Sequence, residues 1–247
     1  MLAIDLFCGL GGWTDGLLVE GWEVIGFDIE RHIFGEHRYP AQLVLQDVLT
    51  LHGTQFKNAA LIVASPPCQK YSYMAMPWSR AKAIEVEYRS GKRDVKNLTA
   101  LFDACFRIQR EACEAAGRHI PLVVENVCGA QKWVGKAKAH YGSYYLWGDV
   151  PALMPITFRG TKHDGSNAIK NNGGSWFNVA HNTTSGKGQN PVTGGVTGQD
   201  RYGRKNARSA KTFSHSLARK AASALIAKIP FELARHVAQA WMPMLSP

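Results

Sequence analysis

Asp5-Leu6-Phe7-Cys8-Gly9-Leu10-Gly11-Gly12 decides the fold of this chain. The apolar run that begins at Leu2 passes through this glycine-rich turn and straight into the helical pattern Trp13–Glu20. Glycines let a backbone turn sharply and approach a ligand closely. The next apolar run ends in Asp28, where a carboxylate can take ribose hydroxyls. The turn reads GxGG rather than GxGxxG, which suits a nucleoside without a pyrophosphate better than a dinucleotide. The plainer alternative is a tight strand-to-helix turn with no ligand.

Outward from that turn, short apolar runs alternate with helical patterns. Strands are predicted at Leu2–Phe7, Glu23–Asp28, Leu43–Gln46, Leu61–Ala64 and Leu122–Glu125, with a weaker sixth at Tyr144–Trp147. The runs are continuous rather than alternating, which predicts a parallel sheet covered on both faces. Leu98, Leu101, Phe102, Cys105, Ile108 and Ala112 recur at helical spacing, so Cys105 belongs to an apolar helix face. The β-α-β-α order predicts a doubly wound α/β domain. After Phe158 the chain turns rich in Gly, Asn, Thr and Ser, and such a segment buries little surface by itself. Order returns at Ser216–Ile226, and after Pro230 the residues Leu233, Ala234, Val237, Ala238 and Trp241 form one apolar face that needs something to pack on. The expected organisation is a catalytic and cofactor-binding part at 1–157, a small basic region at 158–212, and helices at 213–247 that return to the first part.

With 247 residues, 45% hydrophobic and 19% charged, the chain suits one well-buried domain with a small appendage. No stretch reads as a signal peptide or a membrane span, so a cytoplasmic monomer is expected. The formal charge is +10. Residues 159–212 hold nine basic and two acidic residues and carry most of that excess. Basic surface gains free energy by releasing counterions from a phosphate backbone, although a solvated basic surface without a ligand is the bland reading. Cys8, Cys68, Cys105, Cys113 and Cys128 are odd in number and contain no CxxC pair, which argues against a disulfide framework and a structural zinc site.

Two further strand ends carry chemistry. Ser65-Pro66-Pro67-Cys68-Gln69-Lys70-Tyr71-Ser72 stiffens the backbone with two prolines and presents a thiol where α/β enzymes place their sites. Lys70 could favour the thiolate, whereas a lone cysteine is more often buried and inert. Glu125-Asn126-Val127 puts a carboxylate at another strand end, where it either has a task or pairs with a structural cation.

Taken together, in order and separation, these stretches resemble the cytosine-C5 DNA methyltransferase family over roughly residues 1–150 and 216–242. The resemblance implies a Rossmann-like S-adenosylmethionine-dependent methyltransferase fold with a small loop-rich insert. It implies S-adenosylmethionine held by Phe7, Gly9, Gly11, Gly12, Asp28, Ile29, Asp47, Val48 and Pro67. It makes Cys68 the nucleophile and Glu125 its acidic partner at a cytosine flipped out of double-stranded DNA. It places Gln69, Ser72, Asn126, Arg201 and Arg204 at the DNA, and the basic insert where the family keeps its target-recognition region. Ile229-Pro230-Phe231-Glu232-Leu233-Ala234 resembles the final motif, whose helix packs on the cofactor side.

The chain departs from the family in two places. The family's Gln-x-Arg-x-Arg motif is missing after Val127, where Gln131-Lys132-Trp133-Val134-Gly135-Lys136 stands instead. A lysine there, or Arg201 or Arg204, could substitute, but ordinary phosphate contacts are the favoured reading. Lys228 stands near where the family usually has an asparagine; it reads as a solvated helix-end charge, or as a group preferring a carboxylated S-adenosylmethionine analogue. Trp176, Phe177 and Tyr202 read as a small core of the insert before they read as base-stacking residues. The competing functions are a tRNA-directed cytosine-C5 methyltransferase and a DNA-binding relative without catalysis. The short insert leans towards a phage or mobile-element origin, and a restriction-modification role stays open.

Overall fold

A computed structural model describes residues 1–69, 71, 78–155 and 217–242. Lys70, Ser72, Trp176, Phe177, Arg201, Tyr202 and Arg204 lie outside the described residues. Two compact units divide the chain: Met1–Thr157 with Ile229–Pro247, and Phe158–Lys228.

The first unit is built on a seven-stranded sheet in the order β5-β2-β1-β6-β7-β9-β8. Its strands are β1 (Leu2–Leu6), β2 (Glu23–Asp28), β5 (Gln42–Leu45), β6 (Leu61–Ala64), β7 (Leu122–Asn126), β8 (Ala139–Tyr141) and β9 (Tyr144–Gly148). A separate two-stranded hairpin pairs β3 (Ile33–Phe34) with β4 (His37–Arg38). The helices of this unit are α1 (Gly12–Val19), α2 (Trp78–Arg89), α3 (Val95–Ala116), α4 (Gln131–Val134) and, after α5 of the second unit (Leu217–Ala227), α6 (Phe231–Trp241). From β5 to β7 every pairing is parallel, as the continuous apolar runs predict. The strand order reverses between β1 and β6, and at such a switch point α/β sheets open a crevice at their carboxyl ends.

The last two strands differ from the expected parallel pattern. β9 runs antiparallel to β7 and β8 antiparallel to β9. Only Gly142 and Ser143 separate the paired Tyr141 and Tyr144, and Gly142 takes a left-handed φ of 59°. A two-residue connection of that kind closes a hairpin, since a parallel crossover needs about a dozen residues.

Successive strand residues feed two opposite cores. Ile4, Leu6, Ile62, Ala64, Leu122 and Val124 face α3, which contributes Leu98, Phe102, Cys105, Ile108 and Ala112. Ala3, Leu61, Val63, Val123 and Leu146 lie in the core that also takes Trp13 and Leu17 of α1 and Leu233, Ala234, Val237 and Ala238 of α6. α3 starts at Asp94, whose carboxylate accepts the Lys96 backbone N–H at 2.9 Å. α1 and α6 approach so closely that a Cβ on Gly16 would stand 2.4 Å from the Arg235 nitrogen and 2.6 Å from the Ala234 Cβ. The apolar stripe after Pro230 thus has its partner in α1, and Arg235 and Gln239 both reach Glu20 at its end.

One polar group is buried under α1. Asp5, 1% exposed, accepts from the Thr14 hydroxyl at 2.6 Å, and Thr14 also meets the Tyr39 hydroxyl at 2.8 Å. The second Asp5 oxygen, Oδ1, has no hydrogen-bond partner among the described residues. Burial therefore pushes the Asp5 carboxyl from its ordinary 3.8 up to about 7, against the lowering effect of Thr14. A raised acid favours the fold while both states are protonated, and that contribution is lost as pH climbs through the folded value. Between about pH 4 and pH 7 the wild-type Tm should fall relative to Asp5→Asn. Thermal melts across that range check this; parallel curves for the two proteins would contradict it.

Candidate active site

Four neighbouring strand ends build the site: those of β2, β1, β6 and β7. At the end of β1, Phe7 takes a φ of 57°, a left-handed conformation rare outside glycine and frequent where backbone is shaped around a ligand. Gly9 and Gly11 follow at 52° and 75°, which side chains rarely tolerate. The Gly11 N–H bonds the Cys8 carbonyl at 2.7 Å and closes the turn. A Cβ on Gly11 would stand 2.4 Å from Pro40 Cδ, and one on Gly12 the same distance from the Ile229 nitrogen. A Cβ on Gly9 would meet nothing within 4 Å, so one side of the turn is open.

Asp28 locks this turn from the next strand. Its Oδ2 accepts the Gly9 N–H at 2.9 Å, and its Oδ1 accepts the Glu30 N–H at 3.3 Å and lies 3.6 Å from His32 Nε2. Burial raises the Asp28 carboxyl, but His32 and the two backbone donors outweigh it and hold it below the ordinary range, so Asp28 is ionised at neutral pH. Beside it Ile29 is 71% exposed, an apolar surface next to a fixed anion. Asp47 caps the short 3-10 turn Val48–Thr50 through the Leu49 N–H at 2.9 Å. The Val48 side chain is in the core, which leaves its backbone as the part that can meet a ligand.

The thiol-bearing turn after β6 is braced on several sides. Ser65 Oγ accepts the Trp13 indole N–H at 3.0 Å. The Pro66 carbonyl accepts from Asn126 Nδ2 at 2.9 Å. The Cys68 carbonyl accepts the Tyr71 N–H at 2.9 Å, and the Tyr71 hydroxyl donates to the Leu98 carbonyl in α3 at 2.8 Å. Pro67 and Gln69 are exposed and Cys68 is half-buried. Cys8 and Cys105 are buried, with their thiols pushed up by desolvation, so neither suits a thiolate. Cys128 is more exposed than Cys68. What sets Cys68 apart is its braced turn at the carboxyl end of a central strand.

β7 carries the carboxylate. Ala64 pairs with Val124, so Glu125 stands level with Ser65, three residues before Cys68. Glu125 is 8% exposed. It lies opposite Leu146 in β9, and the neighbouring Tyr144 phenol is pushed up by its own burial and then by the Glu125 charge. Asn126 is 1% exposed and fully engaged: its amide donates to Pro66 and its oxygen accepts the Val127 N–H at 2.8 Å. Its amide therefore braces the turn that carries Cys68. Sequence reading missed Trp13 and Tyr71; only their offsets from the two turns hinted at them.

A glycine-rich turn held by an ionised acid, a braced thiol and a buried carboxylate thus stand at neighbouring strand ends of one α/β sheet. Residues 1–90 match the C-5 cytosine-specific DNA methylase family, in agreement with the resemblance that the motifs carry. None of the curated proteins matches the chain. The fold resembles that of the methyltransferase EhMeth of Entamoeba histolytica, with a TM-score of 0.53 at 12% identity, covering 100% of this chain and 99% of that one. It also resembles the Dnmt2 methyltransferase of S. pombe, with a TM-score of 0.51 at 11% identity and the same coverage. A DNA modification methyltransferase encoded within an E. coli prophage is 23% identical over 55% of this chain and 35% of its own length, with a TM-score of 0.34. This chain thus spans about a third of that protein.

The Asn126 bridge is a buried bond whose loss leaves the Pro66 carbonyl unsatisfied, at roughly 1–3 kcal/mol. Asn126→Ala should lower the Tm by several degrees and loosen the thiol turn, seen as faster alkylation of Cys68 in the folded protein. An unchanged Tm and alkylation rate would show that the bridge carries no load.

Proposed function

We propose that this chain transfers the methyl group of S-adenosylmethionine to C5 of a cytosine flipped out of duplex DNA, through a covalent bond between Cys68 and C6. The observation that carries the reading is the pairing of β6 with β7, with the buried Asn126–Pro66 bond across it, which sets a thiol and a carboxylate on adjacent strand ends. The match of residues 1–90 to the cytosine-specific family supports it.

The residues present suit the cofactor. Asp28 offers an ionised carboxylate to ribose hydroxyls, the side of the turn at Gly9 is open, and Ile29 offers an exposed apolar face to a base. Phe7, Gly11, Gly12, Asp47, Val48 and Pro67 complete the proposed cradle. When bound, S-adenosylmethionine supplies a methyl group on a sulfonium, ready for attack by a carbon nucleophile.

C5 of cytosine is a poor nucleophile until the ring is activated. The Cys68 thiolate adds to C6, the ring electrons move towards N3, and Glu125 places a proton there. C5 is then enamine-like and would attack the methyl carbon as its bond to the sulfonium breaks, leaving a neutral thioether, and the N3 proton returns to Glu125. Loss of the C5 proton to solvent restores the C5–C6 double bond as the sulfur–C6 bond breaks and Cys68 is regenerated. Gln69, Ser72, Arg201 and Arg204 are proposed contacts to the DNA, the arginines through phosphates.

Transfer of labelled methyl from S-adenosylmethionine to duplex DNA and to tRNA, run side by side, tests the reading. Duplex DNA should be the acceptor, Cys68→Ser should abolish transfer, and Cys128→Ser should leave it intact. Asp28→Asn should weaken cofactor binding by about ten- to a hundred-fold, the worth of charge-assisted hydrogen bonds. Label on tRNA alone would move the activity to RNA, and full activity in Cys68→Ser would end the covalent scheme.

A further inference from the structure

The helices that follow the Cys68 and Glu125 strand ends in the chain are joined to each other. The chain beyond Cys68 leads into α2, and the chain beyond Glu125 leads through the 3-10 turn Cys128–Ala130 into α4. Lys132 of α4 donates to both carboxylate oxygens of Glu85 in α2, at 3.2 and 3.1 Å. Glu85 also accepts from Arg89 Nε at 3.1 Å, so Lys132 and Arg89 both hold its carboxylate. One turn further, Tyr88 of α2 meets Trp133 of α4 edge to face, with ring centres 5.6 Å apart. The Arg93 guanidinium lies over the Tyr88 ring, 5.8 Å from its centre, and bonds Glu87. Polar and aromatic contacts thus meet on one pair of elements, and both rings rest against the α3-side core.

We propose that Glu85–Lys132 and Tyr88–Trp133 form a clasp that fixes the nucleophile segment against the carboxylate segment, which makes Lys132 and Trp133 positioning residues for the reaction. This rests on the covalent cytosine chemistry proposed above. That chemistry needs Cys68 at C6 and Glu125 at N3 of one small ring at the same moment. A misplacement of about 1 Å can slow such a step a hundred-fold. On the near side, Trp13, Asn126 and Tyr71 already hold Ser65, Pro66 and Cys68 to the sheet and α3. α2 is the first described helix after Cys68, and the clasp is where it meets the element leaving Glu125. The side chains of Glu85 and Lys132 are 19% and 42% exposed, so the pair can be cut without opening the core.

The test uses the full chain, S-adenosylmethionine and a duplex carrying 5-fluorocytosine, on which the methylated adduct has no C5 proton to lose and cannot eliminate. Adduct formation is timed in a single turnover for the wild type, Lys132→Met, Glu85→Gln, the double variant and Lys132→Arg, with Kd for the duplex and Tm measured alongside. Each single variant should slow adduct formation about five-fold, the upper range for a partly exposed ion pair, at unchanged Kd and Tm. The double variant should be no slower than either single, and Lys132→Arg should recover most of the rate. Equal rates in all variants, effects that multiply, or a change confined to Kd would overturn the clasp while leaving the chemistry standing. Absence of any adduct with the wild type would instead remove the chemistry on which it rests.

Discussion

One buried hydrogen bond joins the two halves of the proposed chemistry: the amide of Asn126 to the carbonyl of Pro66. Proline is an apt acceptor there, because the turn before Cys68 has two residues with no N–H of their own to offer the sheet. Without that amide, the Pro66 carbonyl would be buried and unsatisfied, and the turn bearing the thiol would be free to drift from β7. The bond also uses up Asn126, whose oxygen is turned back on Val127. Asn126 is in this fold part of the frame.

A second constraint acts on the glycine-rich turn. The glycine-rich turn is pinned by Asp28 in β2, closed over Pro40, and backed by the junction of Gly12 with Ile229 and of Gly16 with α6. α6 follows β9 and α5 in the chain, so this face of the sheet is assembled from α1 and α6, which are far apart in sequence. The buried Asp5–Thr14–Tyr39 group sits inside this assembly and ties α1 to the stretch just before β5. Packing of Leu233 and Val237 against Trp13 and Leu17 holds it there, each such side chain contributing about 1.5–3 kcal/mol.

Much of the frame was legible in the sequence because its signals are local. The apolar runs at Leu2, Glu23, Leu61 and Leu122 mark central strands, and a buried strand has few other ways to read. The glycine pattern at Gly9 to Gly12 reported a backbone requirement that the positive φ values explain. The antiparallel pair β8 and β9 was less visible, since Tyr144–Trp147 gives no sign of direction and the Gly142–Ser143 turn is short. Contacts at long range were not legible at all: Trp13 on Ser65, Tyr71 on Leu98 and Lys132 on Glu85 join residues whose separation carries no periodicity. No helix among the described residues is long and apolar enough to cross a membrane.

The account stands on the bond between the sulfur of Cys68 and the C6 carbon of a pyrimidine. Its most direct measurement is mass spectrometry of the peptides released after incubation with S-adenosylmethionine and a duplex containing 5-fluorocytosine. The predicted result is a single methylated fluoropyrimidine adduct on the peptide that contains Cys68. An adduct mapped to Cys128, or none in a preparation that methylates unmodified DNA, would contradict it.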